Sequence, residues 1–141
     1  MKAKEHLNSL RALKAKIDQK KEQLKELELL RGNIGSFDYS KERVQTSVDG
    51  NQVERDAIKL LLLESEIKDD MIAFEFEKDR IIREIHALKN ADHIKLLFKR
   101  YVEFKRLEEI AVEMNYTYQY VRELHGYALQ YFETTYTNLH D

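Results

Sequence analysis

Apolar residues near the N-terminus recur at helical spacing. They are separated by 3, 4, 7 and 3 residues at Leu10, Leu13, Ile17, Leu24 and Leu27. This spacing is that of a coiled-coil seam with one polar interruption. It predicts a first helix over about residues 3–30.

A second seam is longer and more regular. Spacings of 4 and 3 connect Val53, Ala57, Leu60, Glu64, Ile67, Met71, Phe74, Lys78, Ile81, Ile85 and Leu88. The pattern predicts a helix over about 53–89. Because an isolated helix leaves its apolar stripe in water, we expect the two helices to pair antiparallel. Residues 31–52, which hold three of the four glycines, would form the long loop between them.

Four apolar residues of the second helix lie away from its seam, on roughly the opposite face: Ile58, Leu62, Ile72 and Phe76. Exposed apolar area of this kind marks an interface. The pattern favours a homodimer that forms a helical bundle through the hairpin. The alternative is that the loop or the C-terminal part of the same chain covers these side chains.

Three shorter helices are predicted after residue 90. The first carries an amphipathic pattern through Ile94, Leu97, Phe98, Tyr101 and Val102, with Asp92 as its N-cap. A second helix covers about 107–114, and a third starts at Thr117. The predicted fold is all-α, with a long antiparallel coiled-coil hairpin over residues 1–90. A three-helix module with a helix-turn-helix would follow over residues 91–141.

The helix-turn-helix prediction depends on three positions. A tight crossing of two helices needs a small residue, and Ala111 supplies it. The turn needs a residue that tolerates left-handed φ and ψ, and Asn115 stands four residues later. Val121 is the apolar residue that packs back into the corner. Thr117 is a good N-cap for the second helix of the pair.

The composition narrows the function. The chain has 141 residues, no proline, no cysteine and 35% charged residues, with a formal net charge of −2. These values disfavour turn-rich β folds, disulfide frameworks and thiolate metal sites. No phosphate-binding glycine loop, catalytic Ser/His/Asp arrangement or zinc-type histidine pair stands out, so we expect neither an enzyme nor a cofactor. The N-terminus lacks a signal peptide's apolar core, and no apolar run is long enough to span a membrane, so we expect a cytoplasmic protein.

The sequence "LEEIAVEMNYTYQYVRELHGYAL" resembles the promoter −35-reading region of bacterial sigma factors. The matching positions are Leu107, Glu109, Ile110, Ala111, Thr117, Val121, Arg122, Ala128 and Leu129. Together with the predicted hairpin and the "RVQTS" segment, the chain is similar to small phage and prophage regulators of the late-gene activator type. The resemblance implies a transcription regulator that binds double-stranded DNA, with RNA polymerase as a further partner.

In that family the exposed start of the second helix enters the major groove. The resemblance assigns this role to Thr117, Tyr118, Gln119, Arg122 and Glu123. Arginine pairs with guanine O6 and N7, glutamine with adenine N6 and N7, and glutamate accepts from cytosine N4.

Sigma factors usually place basic residues where this chain has Tyr118 and Tyr120, so the phosphate contacts must come from elsewhere. We assign them to the basic residues that flank the turn: Lys99, Arg100, Lys105 and Arg106. Three or four such contacts predict a slope of about −3 to −4 for log affinity against log salt.

Charge and pattern leave two alternatives open. The last 52 residues hold six lysines and arginines against eight acidic residues, which weakens the case for DNA. The first alternative is a coiled-coil interaction protein whose helix-turn-helix only packs. The second is a polymerase adaptor in which residues 92–136 bind protein rather than DNA.

Overall fold

The computed structural model describes the backbone of residues 2–37 and 42–140 and the side chains of residues 2–30 and 51–138. Within these residues the regular secondary structure is helical and no strand occurs, which confirms the all-α prediction. The helices are α1 (Lys2–Phe37), α2 (Glu42–His86), α3 (Ala91–Leu97), α4 (Leu107–Met114) and α5 (Tyr118–His140).

The structure corrects the prediction of a long loop over residues 31–52. Helix α1 continues to Phe37 and α2 begins at Glu42, so the described backbone of this segment is helical. Residues 38–41 and the side chains of residues 31–50 lie outside the described set. The prediction failed because a glycine inside a helix costs only about 1 kcal/mol relative to alanine. Gly32 therefore permits a helix end without requiring one.

The structure also corrects the predicted N-cap of α3. Asn90, rather than Asp92, is the N-cap. Its Oδ1 accepts hydrogen bonds from the backbone N–H groups of Asp92 at 2.9 Å and His93 at 3.2 Å. Asp92 lies in the first turn, where a carboxylate interacts favourably with the helix dipole. Asparagine and aspartate are both favourable N-caps, so residue type alone did not distinguish the two positions.

A π-helical segment, Phe98–Val102, continues α3 and is called the π turn below. The Glu103 N–H donates to the Phe98 carbonyl, five residues earlier, at 3.1 Å. The wider turn brings both Tyr101 and Val102 to the buried side. Phe104 then takes a φ of 60°, which is uncommon for an aromatic residue. Such π segments often occur next to functional sites.

Contacts within the chain define two compact units. Unit 1 consists of Met1–Leu13 and Phe74–Asp141, and unit 2 consists of Lys14–Ala73. This grouping differs from the predicted division at residue 90, because the first turns of α1 and the last turns of α2 group with the three C-terminal helices.

The main core of unit 1 joins four helices and the π turn. Its buried members are Ala3, Leu7, Leu10, Ile81, Ile85, Leu88, Leu97, Tyr101, Val102, Ala128, Leu129 and Phe132. Two polar contacts show that α1 and α2 run antiparallel in this unit. His6 Nε2 lies 2.8 Å from Glu84 Oε1, and Ser9 Oγ donates to Glu77 Oε1 at 3.2 Å. The second half of α5 contributes Ala128, Leu129 and Phe132 to the same core as both long helices.

Unit 2 contains the remaining described parts of α1 and α2. Ile17, Leu63 and Ile67 are buried between the helices. Lys20 Nζ donates to Asp70 Oδ2 at 2.7 Å, and this contact lowers the pKa of Asp70. Ile17 and Ile67 belong to the seams predicted from the sequence, but Leu63 does not. Val53, Glu64 and Met71 of the predicted seam are exposed, so the buried face of α2 in this unit is not the one predicted. No described helix combines the length and apolar content needed to span a bilayer.

Candidate nucleic-acid interface

A small second core fixes the angle between α4 and α5. Its fully or nearly buried members are Leu96, Ile110, Ala111, Val121 and Leu124. Ala111 and Val121, the two residues predicted to meet at the crossing, are 4% and 0% exposed. A larger side chain at position 111 would push the helices apart, because cores of this density do not absorb extra methyl groups.

The chain turns sharply between α4 and α5. Asn115 takes the left-handed conformation predicted for it, with φ 60° and ψ 39°. The Tyr116 N–H donates back to the Ala111 carbonyl at 3.0 Å, which closes the end of α4. Thr117 Oγ1 accepts from the Tyr120 N–H at 3.1 Å. This bond confirms Thr117 as the N-cap of α5.

A contact that sequence reasoning missed ties this turn to α3. The Tyr116 hydroxyl donates to Asp92 Oδ2 at 2.7 Å, and this bond raises the pKa of the Tyr116 hydroxyl. The Tyr116 ring also packs edge-on against Tyr120, with 4.8 Å between ring centres. Tyr116 and Asp92 are 24 residues apart, so no local sequence pattern predicts their hydrogen bond.

The five residues assigned to base reading share one exposed surface at the start of α5, which we call the α5 front: Thr117, Tyr118, Gln119, Arg122 and Glu123. Gln119, Arg122 and Glu123 line a shallow open recess. The Arg122 guanidinium carbon lies 5.7 Å from the centre of the Tyr118 ring. This cation–π contact holds the guanidinium against the helix while its outer edge faces solvent.

Two of the four predicted phosphate contacts are tied to one carboxylate. Lys99 Nζ and Lys105 Nζ donate to the same atom, Glu113 Oε1, at 2.6 Å and 2.8 Å. These bonds lower the pKa of Glu113, with Lys105 as the larger cause, and Glu113 raises the pKa of Lys105. We call this trio the Glu113 clamp. It connects the π turn and the loop after it to α4.

The other two predicted contacts also have partners within the chain. Arg100 Nη1 donates to the Lys105 carbonyl at 3.0 Å. Arg106 Nε donates to Glu109 Oε1 at 2.9 Å, although its side chain is 74% exposed. A phosphate that approached these residues would compete with internal acceptors. Arg106 is the most accessible of the four.

A partly buried histidine lies on α5, just after the α5 front. His125 Nε2 and the Tyr101 hydroxyl are hydrogen-bonded at 2.7 Å, and their rings stack. Burial, followed by the charges of Arg100 and Lys4, lowers the pKa of His125 to about 4. Burial raises the pKa of Tyr101. The imidazole is therefore neutral near pH 7, and its hydrogen bond to Tyr101 connects the π turn to α5.

The site shows no metal chemistry among the side chains that the structure describes, since no group of three histidine, aspartate or glutamate residues is close enough to hold an ion. What the site offers is an exposed helix start with one arginine, one amide and one carboxylate on a rigid corner. No protein-family model, curated protein or solved structure matches the chain.

Proposed function

We propose that this protein is a DNA-binding transcription regulator. In this proposal α4 and α5 form the helix-turn-helix of a sigma-like module, beside a coiled-coil pairing of α1 and α2. The observation that carries the proposal is the α5 front, which is solvent-exposed and stands on a bend fixed by Asn115, Thr117 and the small core. A helix presented in this way fits the major groove of B-DNA.

The side chains of the front have the chemistry for base contacts. Arg122 presents a planar guanidinium that matches guanine O6 and N7, and Gln119 matches adenine N6 and N7. Glu123 accepts a hydrogen bond from cytosine N4. Tyr118 packs on Arg122 and is 44% exposed. In this proposal its hydroxyl donates to a neighbouring phosphate.

The charge arrangement supports weak binding by a single chain. Lys99 and Lys105 both donate to Glu113, and Arg100 donates to a backbone carbonyl. Arg122 is assigned to a base, and Arg106 is the most accessible of the four predicted phosphate contacts. One such contact gives a salt slope of about −1 for a single chain, at roughly 0.9 per contact. This slope is shallower than the value of about −3 to −4 expected from the sequence.

Selection from a pool of random duplexes, with sequencing of the bound fraction, tests the proposal. We expect an enriched motif. Arg122→Ala should cost about 1–3 kcal/mol on that motif and relax specificity at one base pair. Arg83→Ala, which removes an exposed arginine of α2, is the matched control and should bind normally. A pool without enrichment, or an Arg122→Ala variant with unchanged affinity and specificity, would contradict base reading.

A second candidate is an adaptor that binds RNA polymerase through the same module. The observation that favours it is the pairing of the basic residues, together with exposed apolar and aromatic side chains nearby. Val112 is 77% exposed, and Tyr118 and Tyr120 are each 44% exposed. Binding of Val112→Glu to purified polymerase separates the two functions. The adaptor predicts that this variant loses polymerase binding, whereas the DNA regulator predicts normal DNA binding by the same variant.

A further inference from the structure

Helix α2 has two apolar faces within unit 2. One face, with Leu63 at 8% and Ile67 at 7% exposure, is buried against α1. The other face carries Ile58 at 56%, Leu62 at 60% and Ile72 at 53% exposure. Isolated exposed apolar residues are common on protein surfaces. Three large aliphatic side chains along one helix face need a further explanation.

The exposed face has the spacing of a second coiled-coil seam. Steps of 4, 3, 4 and 3 residues connect Ile58, Leu62, Ser65, Asp69 and Ile72. All five are exposed. The order along the seam is two aliphatic residues, two polar residues and one aliphatic residue. A polar position inside an apolar seam fixes the register and orientation of a coiled coil.

We propose that this seam pairs with the same seam of a second copy of the chain, in antiparallel orientation, with the two-fold axis at residue 67. Residues 62 and 72 are equally far from residue 67, and so are residues 65 and 69. Leu62 therefore packs on Ile72 of the second copy, and the Ser65 hydroxyl donates to the Asp69 carboxylate of the second copy. Each pair occurs twice, because a two-fold contact is reciprocal.

The polar pair is the reason for the antiparallel orientation. In a parallel, in-register dimer each Asp69 would face the other Asp69 inside the seam, and two carboxylates there repel. The antiparallel register gives each carboxylate a donor instead, as a polar group removed from water requires. Lys68 meets its own counterpart near the two-fold axis, but this residue is exposed, so dissolved salt screens the repulsion. The pairing does not depend on the proposed DNA binding.

Disulfide cross-linking between two variants tests orientation and register together. The natural chain has no cysteine, so Leu62→Cys and Ile72→Cys each introduce a single thiol on the exposed face. A mixture of the two variants should form a disulfide-linked dimer under mild oxidation. Each variant alone should not, because the two copies of residue 62 lie about 15 Å apart along the helix axes at 1.5 Å per residue. A disulfide requires Cα atoms closer than about 7 Å.

Glu64→Cys mixed with Ile72→Cys is the matched control. Glu64 is exposed on α2 but lies away from the seam, so this mixture should not cross-link. Circular dichroism establishes that every variant keeps the helical content of the natural chain, as expected for exposed positions.

The solution mass of the unmodified chain, measured by light scattering, should be that of two chains. A one-chain mass at micromolar to millimolar concentration would overturn the proposal. Cross-linking of Leu62→Cys with itself, without cross-linking in the mixture, would overturn the antiparallel register. Cross-linking in the Glu64→Cys mixture as well would show random collision rather than a defined seam, and would overturn it too.

Discussion

Asn115 holds the corner of the candidate site in a conformation that most side chains avoid. At φ 60° and ψ 39°, the Cβ of an ordinary L-residue costs roughly 1–2 kcal/mol. We expect Asn115→Ala to lower the free energy of unfolding by about 1 kcal/mol and Asn115→Gly to change it by only a few tenths. Urea unfolding followed by circular dichroism measures both variants. An equal loss in both would mean that the asparagine side chain, rather than the backbone, holds the corner.

His125 makes the stability of unit 1 depend on pH. Its pKa is about 4 in the folded chain, against an ordinary value of 6.5, so the unfolded chain binds the proton more tightly. The contribution of this group to stability is fully present above pH 6.5 and is lost as the pH falls towards 4. We expect the natural chain to lose roughly 2 kcal/mol over this window, after allowance for the part of the ring that faces water.

His125→Phe removes this titration and keeps a ring of similar size. Unfolding free energies at pH 7 and pH 4 should fall less steeply in the variant than in the natural chain. His93, whose pKa is also lowered by burial, titrates in both proteins and cancels in the comparison. Parallel pH profiles would show that folding does not lower the pKa of His125.

At the scale of elements, the Glu113 clamp connects three segments and pairs two lysines with one carboxylate. Glu113→Gln should release Lys99 and Lys105, because an amide does not hold two ammonium groups. We expect tighter DNA binding at low salt and a slope steeper by about 2, at roughly 0.9 per released contact. Asp79→Asn removes the same charge from an exposed position of α2 and is the control. Equal gains in both variants would mean that only net charge matters.

Periodicity predicted most elements but not how some of them end. The spacing of apolar residues located α4 and α5 to within a residue, because Asn115 and Thr117 are strong local signals. The π turn was missed because its pattern of Phe98, Tyr101 and Val102 also fits an α-helix. The extension of α1 through Gly32 was missed because glycine only weakly opposes a helix.

The candidate site was predicted in its composition but not in its internal contacts. The α5 front follows from helical spacing once Thr117 is the cap, so its five residues share a surface as expected. Lys99 and Glu113, in contrast, are 14 residues apart on different elements. Their contact depends on how α4 packs against the π turn, and local sequence patterns do not carry that information.

At the scale of the whole molecule, salt should act in opposite directions on the two proposed interactions. DNA binding releases counterions and weakens as salt rises. Self-association through the apolar seam should strengthen, because each chain carries a net charge of −2 and salt screens the repulsion between copies. Sedimentation velocity and DNA titrations at 50 and 500 mM salt, values that span Debye lengths of roughly 4–14 Å, measure both. Dissociation of the dimer at high salt would indicate an ionic interface instead.

The Glu113 clamp also bears on selectivity. The Glu113 carboxylate neutralises part of the charge of the two lysines, and because it belongs to the same chain its local concentration does not fall when the salt is diluted. A passing phosphate gains no ion-release entropy from Lys99 or Lys105 unless it first displaces that carboxylate. If the protein binds DNA as proposed, these two lysines would add little to sequence-independent binding even at low ionic strength, and specificity would depend on the fit of a single helix end.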